Sequence, residues 1–476
     1  MSSLLESDEP HGNFPAAISR VENHSSISRE EWDRTDEPRI DGPRKLRSLN
    51  ARVDRTSERH SHNPPSKVSS ILSEKAGTSI RTRYTLLQII HEAQPVSRVE
   101  LARRLGIKRS RVSEIINPLL AAGVCRETSF EQVAGRLGRP PVGLTLCAER
   151  ACFIGVNLGV SETHLRVVNA AGDALSEERL ATPSDPMDAI DAIHSAIERL
   201  RAEARFHTLS AIGVTVPGPT DAGRTRLINA PHLGWRDLAI AALLRHHNTQ
   251  RLSDSIPIIV ETDATAAAVY EGRRRLRVRN GGFGSDFVVV RVGTGIGVGL
   301  VLGGDVYRSN GAGEGQACDF GHMTIAAGGK LCACGNRGCW ERYASAPSVG
   351  AFYAGRRQQV RDARLPPFSE IVLRAKEGDV RAHRALQRVG AYLGIGISNV
   401  ILALGVPDIV VTGPILDGWR FIREPLREAM AKSLPGRLSR WSVEAGEPDG
   451  AGVGGAVAVA IAHYLMTLAA QMRVAA

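Results

Sequence analysis

The sequence predicts an α/β protein with an N-terminal winged helix-turn-helix, and three observations carry that expectation. The first is size: 476 residues, 43% hydrophobic and only 5% aromatic, suffice for two or three packed domains with an appended tail. The second is the stretch from 147 to 476, where short apolar runs alternate with helix-length segments. The third is a pair of short amphipathic segments split by a glycine in a strongly basic part of the chain.

Residues 1–79 precede this order. They are rich in Ser, Arg, Glu, Asp and Pro and lack a sustained apolar period, as in Arg-Thr-Ser-Glu-Arg-His-Ser-His-Asn-Pro-Pro at 55–65. Such a composition cannot offset its chain entropy by burial, so a disordered polar and basic tail is expected. A plain solvated tail and an arm that touches DNA both fit. Met1 to Asp8 lacks the basic-then-apolar pattern of a signal peptide, and the seven cysteines show no spacing of a secreted disulfide framework. A reducing cytoplasm fits. The apolar stretch Ala451 to Ala470 includes His463 and Tyr464 and is expected to be a buried core helix, with no membrane involved.

Order begins near Ile80. Leu86, Leu87, Ile89 and Ile90 form the apolar face of a first helix that ends before Pro95. Ser97-Arg98-Val99-Glu100 has the form of a capping box, in which the Ser97 hydroxyl and the Glu100 carboxylate satisfy free amides at a helix start. Leu101, Ala102 and Leu105 give that second helix its buried side, and Gly106 ends it. A third helix follows through Lys108 to Ile116, with Val112, Ile115, Ile116 and Leu119 facing the core.

This is helix-turn-helix spacing, which places the N-terminal turns of the last helix against base edges in a major groove. Arg109, Ser110, Arg111 and Ser113 occupy those turns, and an arginine fork suits guanine. After Gly123 a hairpin wing is expected, with Gly135-Arg136-Leu137-Gly138-Arg139-Pro140-Pro141 at its tip and a strand from Val142 to Leu146. Arg136 and Arg139 at such a tip can reach a minor groove. Charge agrees: the chain carries +10 overall, and residues 81–145 hold eleven Lys and Arg against five Glu. Double-stranded DNA is the expected partner, although a solvated basic face gives the same count.

Beyond Cys147 strands are expected at Ala151–Val156, Leu165–Val168, Ala211–Val216, Ile256–Val260, Phe287–Val292 and Ile409–Thr412. Gly293-Thr294-Gly295-Ile296-Gly297-Val298-Gly299 follows one of them directly. Its glycines allow backbone amides to approach a phosphate, and they equally allow close chain packing. Cys332, Cys334 and Cys339 crowd into eight residues, with His322 ten positions upstream. One imidazole and three thiolates fill the tetrahedron of Zn²⁺ without an open position, so a structural zinc site is expected. Unrelated buried thiols are the alternative, which Gly335 and Gly338, apt for the tight turns of a knuckle, disfavour.

These residues carry a family resemblance. The segment 151–470 resembles the ROK family of repressors and sugar kinases in Val216-Pro217-Gly218-Pro219, in Glu261-Thr262-Asp263-Ala264, in the Gly293–Gly299 segment, and above all in Gly321-His322 with Cys332, Cys334, Cys339 and Glu341. With the Gly-Arg-Pro-Pro wing it resembles the xylose and N-acetylglucosamine repressor branch. The resemblance implies a winged helix-turn-helix at 80–146 and a two-lobed, actin-like/sugar-kinase-like (ribonuclease H-like) ROK domain at 147–476.

It also implies roles. Family kinases open with an Asp-x-Gly-Gly-Thr phosphate loop, where this chain has Asn157-Leu158-Gly159-Val160-Ser161. Asn157 lacks the charge that helps manage metal-bound phosphates, and Val160 replaces a glycine, so no kinase activity is expected. Asp263 matches the sugar-binding general base, with Thr262 in place of the family asparagine. Asp263 as a capping carboxylate of a helix at 264–275 is the alternative. His322 is implied both to ligate zinc and to reach the sugar, Glu341 to accept sugar hydroxyls, and Asp319 to stand where the family has glutamate. The expected function is a sugar-responsive transcriptional regulator, most readily a repressor, acting as a homodimer or homotetramer. A sugar kinase fused to a DNA-binding module and a ligand-independent DNA-binding protein with a ROK scaffold remain open.

Overall fold

A computed structural model describes residues 80–129, 142–204, 208–245, 255–277, 285–308, 319–355 and 365–472. The expected tail at 1–79, the wing arginines Arg136 and Arg139, and Cys318 lie outside them. The described chain is α/β, as expected.

Helix α1 (Ile80–Ala93) buries Leu86, Leu87, Ile89 and Ile90 completely. A short strand β1 (Val96–Ser97) leads into α2 (Arg98–Leu105), whose start is capped by the Ser97 hydroxyl accepting the Glu100 amide at 3.1 Å. The other half of the expected capping box is not made. The Glu100 carboxylate receives Arg103 and Arg104 instead, because both guanidiniums lie one turn ahead on the same face. Gly106, at φ 65°, ends α2, since that left-handed turn suits a residue without a Cβ. Then α3 (Arg109–Ala121) buries Val112, Ile115, Ile116 and Leu119. Strands β2 (Cys125–Ser129) and β3 (Val142–Leu146) pair antiparallel, and β1 adds to the free edge of β3.

The next strands are β4 (Cys152–Leu158), β5 (Glu162–Asn169) and β6 (Ala174–Ala181), followed by α4 (Pro186–Ala204) and β7 (Leu209–Val216). A two-stranded ribbon, β8 (Leu227–Ala230) and β9 (Trp235–Leu238), precedes α5 (Ile240–Arg245) and β10 (Ile258–Thr262). Five of these strands form one sheet in the order β10-β7-β4-β5-β6, parallel among the first three. Alternation along β4 sends Ile154, Val156 and Leu158 toward α4 while Phe153 faces the opposite layer.

Helix α6 (Asp263–Arg275) leaves β10 and leads to a second sheet. Its strands are β11 (Phe287–Val292), β12 (Ile296–Leu302) and β13 (Asp305–Val306). Between them and the remaining strands lie α7 (Glu341–Ala344), α8 (Ala346–Ala354), α9 (Phe368–Lys376) and α10 (Val380–Leu404). The described residues end with β14 (Asp408–Thr412), α11 (Trp419–Lys432), α12 (Leu434–Leu438), β15 (Ser442–Ala445) and α13 (Val453–Gln471). The second sheet runs β13-β12-β11-β14-β15.

Helix α13 covers the face of β4 and β7 opposite α4, where two glycines set the distance. A Cβ on Gly213 would stand 2.1 Å from the Ala456 carbonyl oxygen, and one on Gly155 would stand 2.6 Å from Val457. Helices α10 and α13 are long and apolar enough to cross a membrane, and most of each is buried inside the protein. The expected core helix at Ala451–Ala470 is therefore α13.

The Gly293–Gly299 segment differs from a phosphate-type loop. Only Gly293–Gly295 turns; from Ile296 the chain is already strand β12, paired back on β11. Added Cβ atoms on Gly297 and Gly299 would meet Ala264 and Ala268 of α6 within 2.7 Å. Close packing of a helix on a strand accounts for these two glycines. Expected strands are recovered with ends moved by up to three residues, while β1, β6, β8, β9, β12, β13 and β15 lie outside the expectation. Strand β6 alternates half-buried and exposed positions without an apolar run, and β12 has the glycines just described.

Candidate functional site

A cleft of about 320 Å³ opens where β10 and α6 meet the β11–β12 turn and the loop before α7. Its size suits a small polar ligand. Asp263, Asp319, His322 and Glu341, drawn from separated parts of the sequence, all line it, together with Gly159, Val160 and Ser161. Asn157 points elsewhere: its Oδ1 accepts the Thr215 hydroxyl at 2.9 Å between neighbouring strands.

Asp263 is the first residue of α6, and Thr262 caps that helix by accepting the Thr265 amide at 3.1 Å. The alternative of Asp263 as the capping carboxylate is thus corrected: Thr262 holds that role, since a cap precedes the first helical residue. Asp263 instead faces Arg291 of β11, with Oδ2 2.8 Å from the guanidinium. Burial pushes the Asp263 carboxyl above its usual range, and Arg291 and the Ala264 amide oppose that shift. Arg291 also donates to the Ala451 carbonyl at 3.1 Å, just before α13.

The loop before α7 is folded tightly against the β11–β12 turn. Gly321 permits this, since a Cβ there would lie 2.0 Å from the Ile296 carbonyl. His322 follows it, and Trp340, fully buried and donating to the Tyr392 carbonyl at 3.0 Å, anchors the far end. Glu341 is therefore held at the base of the cleft. Its Oε1 accepts the Cys332 thiol at 3.0 Å, and its Oε2 lies 3.8 Å from His232. Burial favours the neutral acid, yet His232, Cys332 and His322 hold the Glu341 carboxyl below the usual carboxylate range. Asp319 is exposed and stands 3.9 Å from the other nitrogen of His322.

His322, Cys332, Cys334 and Cys339 form one group that could hold a metal ion, with donor atoms all within 4.8 Å of one another. The Cys334 and Cys339 sulfurs are 3.7 Å apart, and the Cys332 sulfur is 3.5 Å from His322 Nδ1. A tetrahedral zinc with Zn–S of about 2.3 Å and Zn–N of about 2.05 Å sets these separations at about 3.8 and 3.5 Å. A disulfide needs about 2.05 Å, so the pair is not one. Gly335 and Gly338 have φ of 93° and 79°, and a Cβ on Gly338 would stand 1.9 Å from the Ala326 carbonyl. The residues fit zinc.

Two cleft residues escaped the sequence reading. His232 sits at the tip of the β8–β9 ribbon, and a single histidine in a turn carries no sequence signal. Arg291 had one: a charge within Val-Val-Val-Arg-Val is anomalous in a buried strand and needs a partner. The expected DNA contacts lie apart from the cleft. Arg109 and Ser110 are exposed on the first turn of α3, and Arg111 and Ser113 are half-buried beside them, with Arg111 paired to Glu114.

The ROK family model matches residues 153–463. The xylose repressor of Bacillus spizizenii is 27% identical over 354 residues, covering 73% of this chain and 86% of its own length. A crystal structure of a ROK family transcriptional regulator, a homolog of the E. coli MLC protein, superposes with a TM-score of 0.64 at 22% identity, covering 82% of this chain and 99% of its own. A ROK family glucokinase from Streptomyces griseus in complex with glucose and AMPPNP gives a TM-score of 0.55 at 25% identity, covering 65% and 99%. Regulators and kinases thus share this architecture.

Proposed function

We propose that this chain, which belongs to the ROK family, is a cytoplasmic, sugar-responsive, DNA-binding transcriptional regulator, a repressor of carbohydrate-metabolism genes, without kinase activity. The observation that carries the reading is the convergence of Asp263, Asp319, His322 and Glu341 on one cleft. Its phosphate-loop side carries Val160 in place of a glycine, and Asn157, bonded to Thr215, stands where family kinases have an aspartate. A sugar's hydroxyls fit these carboxylates, which accept hydrogen bonds, and the imidazoles, which can donate them. The likeness to a xylose repressor and to a glucose-bound glucokinase supports a sugar as effector.

Residues 80–146 are assigned as the winged helix-turn-helix and 147–476 as the ROK sugar-sensing domain, with 1–79 as a tail. Arg109, Ser110, Arg111 and Ser113 of α3 read the major groove, and Arg136 and Arg139 of the wing contact the minor groove. The alternative that fuses a working kinase to this module is disfavoured by Arg291, whose charge 2.8 Å from Asp263 Oδ2 stabilises the carboxylate and so weakens it as the base that a phosphoryl transfer needs. Structural zinc on His322, Cys332, Cys334 and Cys339 would fix the loop that presents His322 and Glu341 to the cleft. Homodimers or homotetramers would bring two α3 helices to paired half-sites.

Fluorescence anisotropy on DNA from upstream of the protein's own gene, at fixed salt, titrated with D-xylose, D-glucose and N-acetyl-D-glucosamine, tests the reading. A sugar-dependent affinity with no sugar-dependent ATP turnover is the expected result. ATP turnover would favour the kinase reading, and DNA binding indifferent to all three sugars would favour the ligand-independent scaffold.

A further inference from the structure

Helix α6 begins at Asp263 in the cleft and ends against the α1–α2 region, about 20 Å away by its thirteen residues. Resting on the sugar-responsive reading, we infer that α6 carries occupancy of the cleft to the DNA-binding region, with Arg273 as the positioning residue at its far end.

Both ends of the helix are held by charge. At the near end Asp263 is tied to Arg291 of the second sheet, and a sugar hydroxyl donating to Asp263 would compete for the same carboxylate. At the far end the Arg273 guanidinium lies 2.6 Å from Glu92 Oε1 and 2.9 Å from His91 Nδ1, both at the C-terminal end of α1. Arg277 donates to the other Glu92 oxygen at 2.9 Å, and Arg104 of α2 donates to the Leu276 carbonyl at 2.6 Å. Arg273 and Glu92 are each only 4% exposed.

Between its ends α6 has no room to bend. Gly297 and Gly299 let it lie flush on β12, and Gly455 of α13 lies close to Ala266 on another side. Tightly packed elements of this kind shift as units. Helix α13 also packs on α1 in the same apolar cluster, with one hydrogen bond from Arg83 to the Met472 carbonyl at its last turn, but that contact begins at no residue lining the cleft. The Arg273–Glu92 contact is directional, and its geometry changes with any rotation of α6. It is also poorly explained by stability: His91 Nε2 and Arg273 Nη1 are buried without a hydrogen-bond partner among the described residues, an arrangement that costs free energy. A buried ion pair in such surroundings serves orientation better than stability.

The test uses the full-length protein and three readouts: DNA affinity without sugar, DNA affinity with the sugar that acts on the wild type among D-xylose, D-glucose and N-acetyl-D-glucosamine, and the thermal shift that this sugar produces. Coupling free energies put the wild-type change in DNA affinity at about five-fold or more. In Glu92→Gln and Arg273→Gln the sugar's thermal shift is expected to survive while the change in DNA affinity falls below about two-fold. Arg273→Lys should recover part of it. Should the buried variants fail to fold, Arg277→Gln, at a side chain 54% exposed, is expected to lower the response in the same direction. A wild-type response in folded Glu92 and Arg273 variants, or in Arg277→Gln where only that variant folds, overturns the inference. A wild type whose DNA affinity no sugar alters refutes the sugar-responsive reading itself, and this coupling with it.

Discussion

Asp263 and Arg291 form an ion pair in which each is about one-sixth exposed, so neither charge is fully solvated alone. Arg291→Met is expected to destabilise the fold by about 2 kcal/mol, since it leaves a shielded carboxylate without its partner. Urea unfolding measures this, and an unchanged midpoint would show the pair to be dispensable. The metal group makes a separate prediction. Chelation or Cys339→Ser should lower the melting temperature and, in the case of chelation, release about one zinc ion per chain to a colorimetric indicator. Purified protein lacking zinc and indifferent to chelator would count against the assignment. The sequence is most legible where chemistry is dense. His322 and the three cysteines announce themselves by spacing, and Glu341 and Asp319 follow from family motifs. His232 and the partner of Arg291 depend on tertiary contacts, which no local pattern encodes.

Among the elements, α3 carries the proposed readout. Replacing Arg109 with alanine should weaken operator binding by about 1–3 kcal/mol, roughly five- to 150-fold, if its fork contacts a base. Arg111 faces Glu114 on the same helix, so Glu114→Gln should instead tighten DNA binding by freeing that guanidinium and removing a negative charge near phosphate. Anisotropy at one fixed salt concentration distinguishes the two effects, and an unchanged affinity in both variants would place the DNA contact elsewhere. The helices of this region were legible because each carries its own signals: Ser97 before α2, Gly106 after it, and apolar spacing through α3. The Glu100 half of the capping box does not form, because two arginines one turn away compete for the carboxylate more strongly than a backbone amide.

In the whole molecule, the two sheets are joined by a helix that the sequence marks only indirectly. Runs such as Phe287–Val292 are apolar enough to be read as buried strands, but Gly297 and Gly299 in β12 looked like loop residues because their purpose lies in another element. The same holds for Gly213. Its replacement by valine should destabilise the protein by about 3 kcal/mol, because α13 cannot move aside from the sheet without unpacking both. Thermal melting at fixed protein concentration would reveal it.

On the proposed reading, the cleft at Asp263 governs DNA affinity. The most direct test compares wild type and Asp263→Ala by anisotropy on the same DNA at the same salt, with and without the active sugar. Sugar is expected to change the affinity of the wild type, while the variant binds DNA and ignores the sugar. A variant that responds to sugar as the wild type does would contradict it.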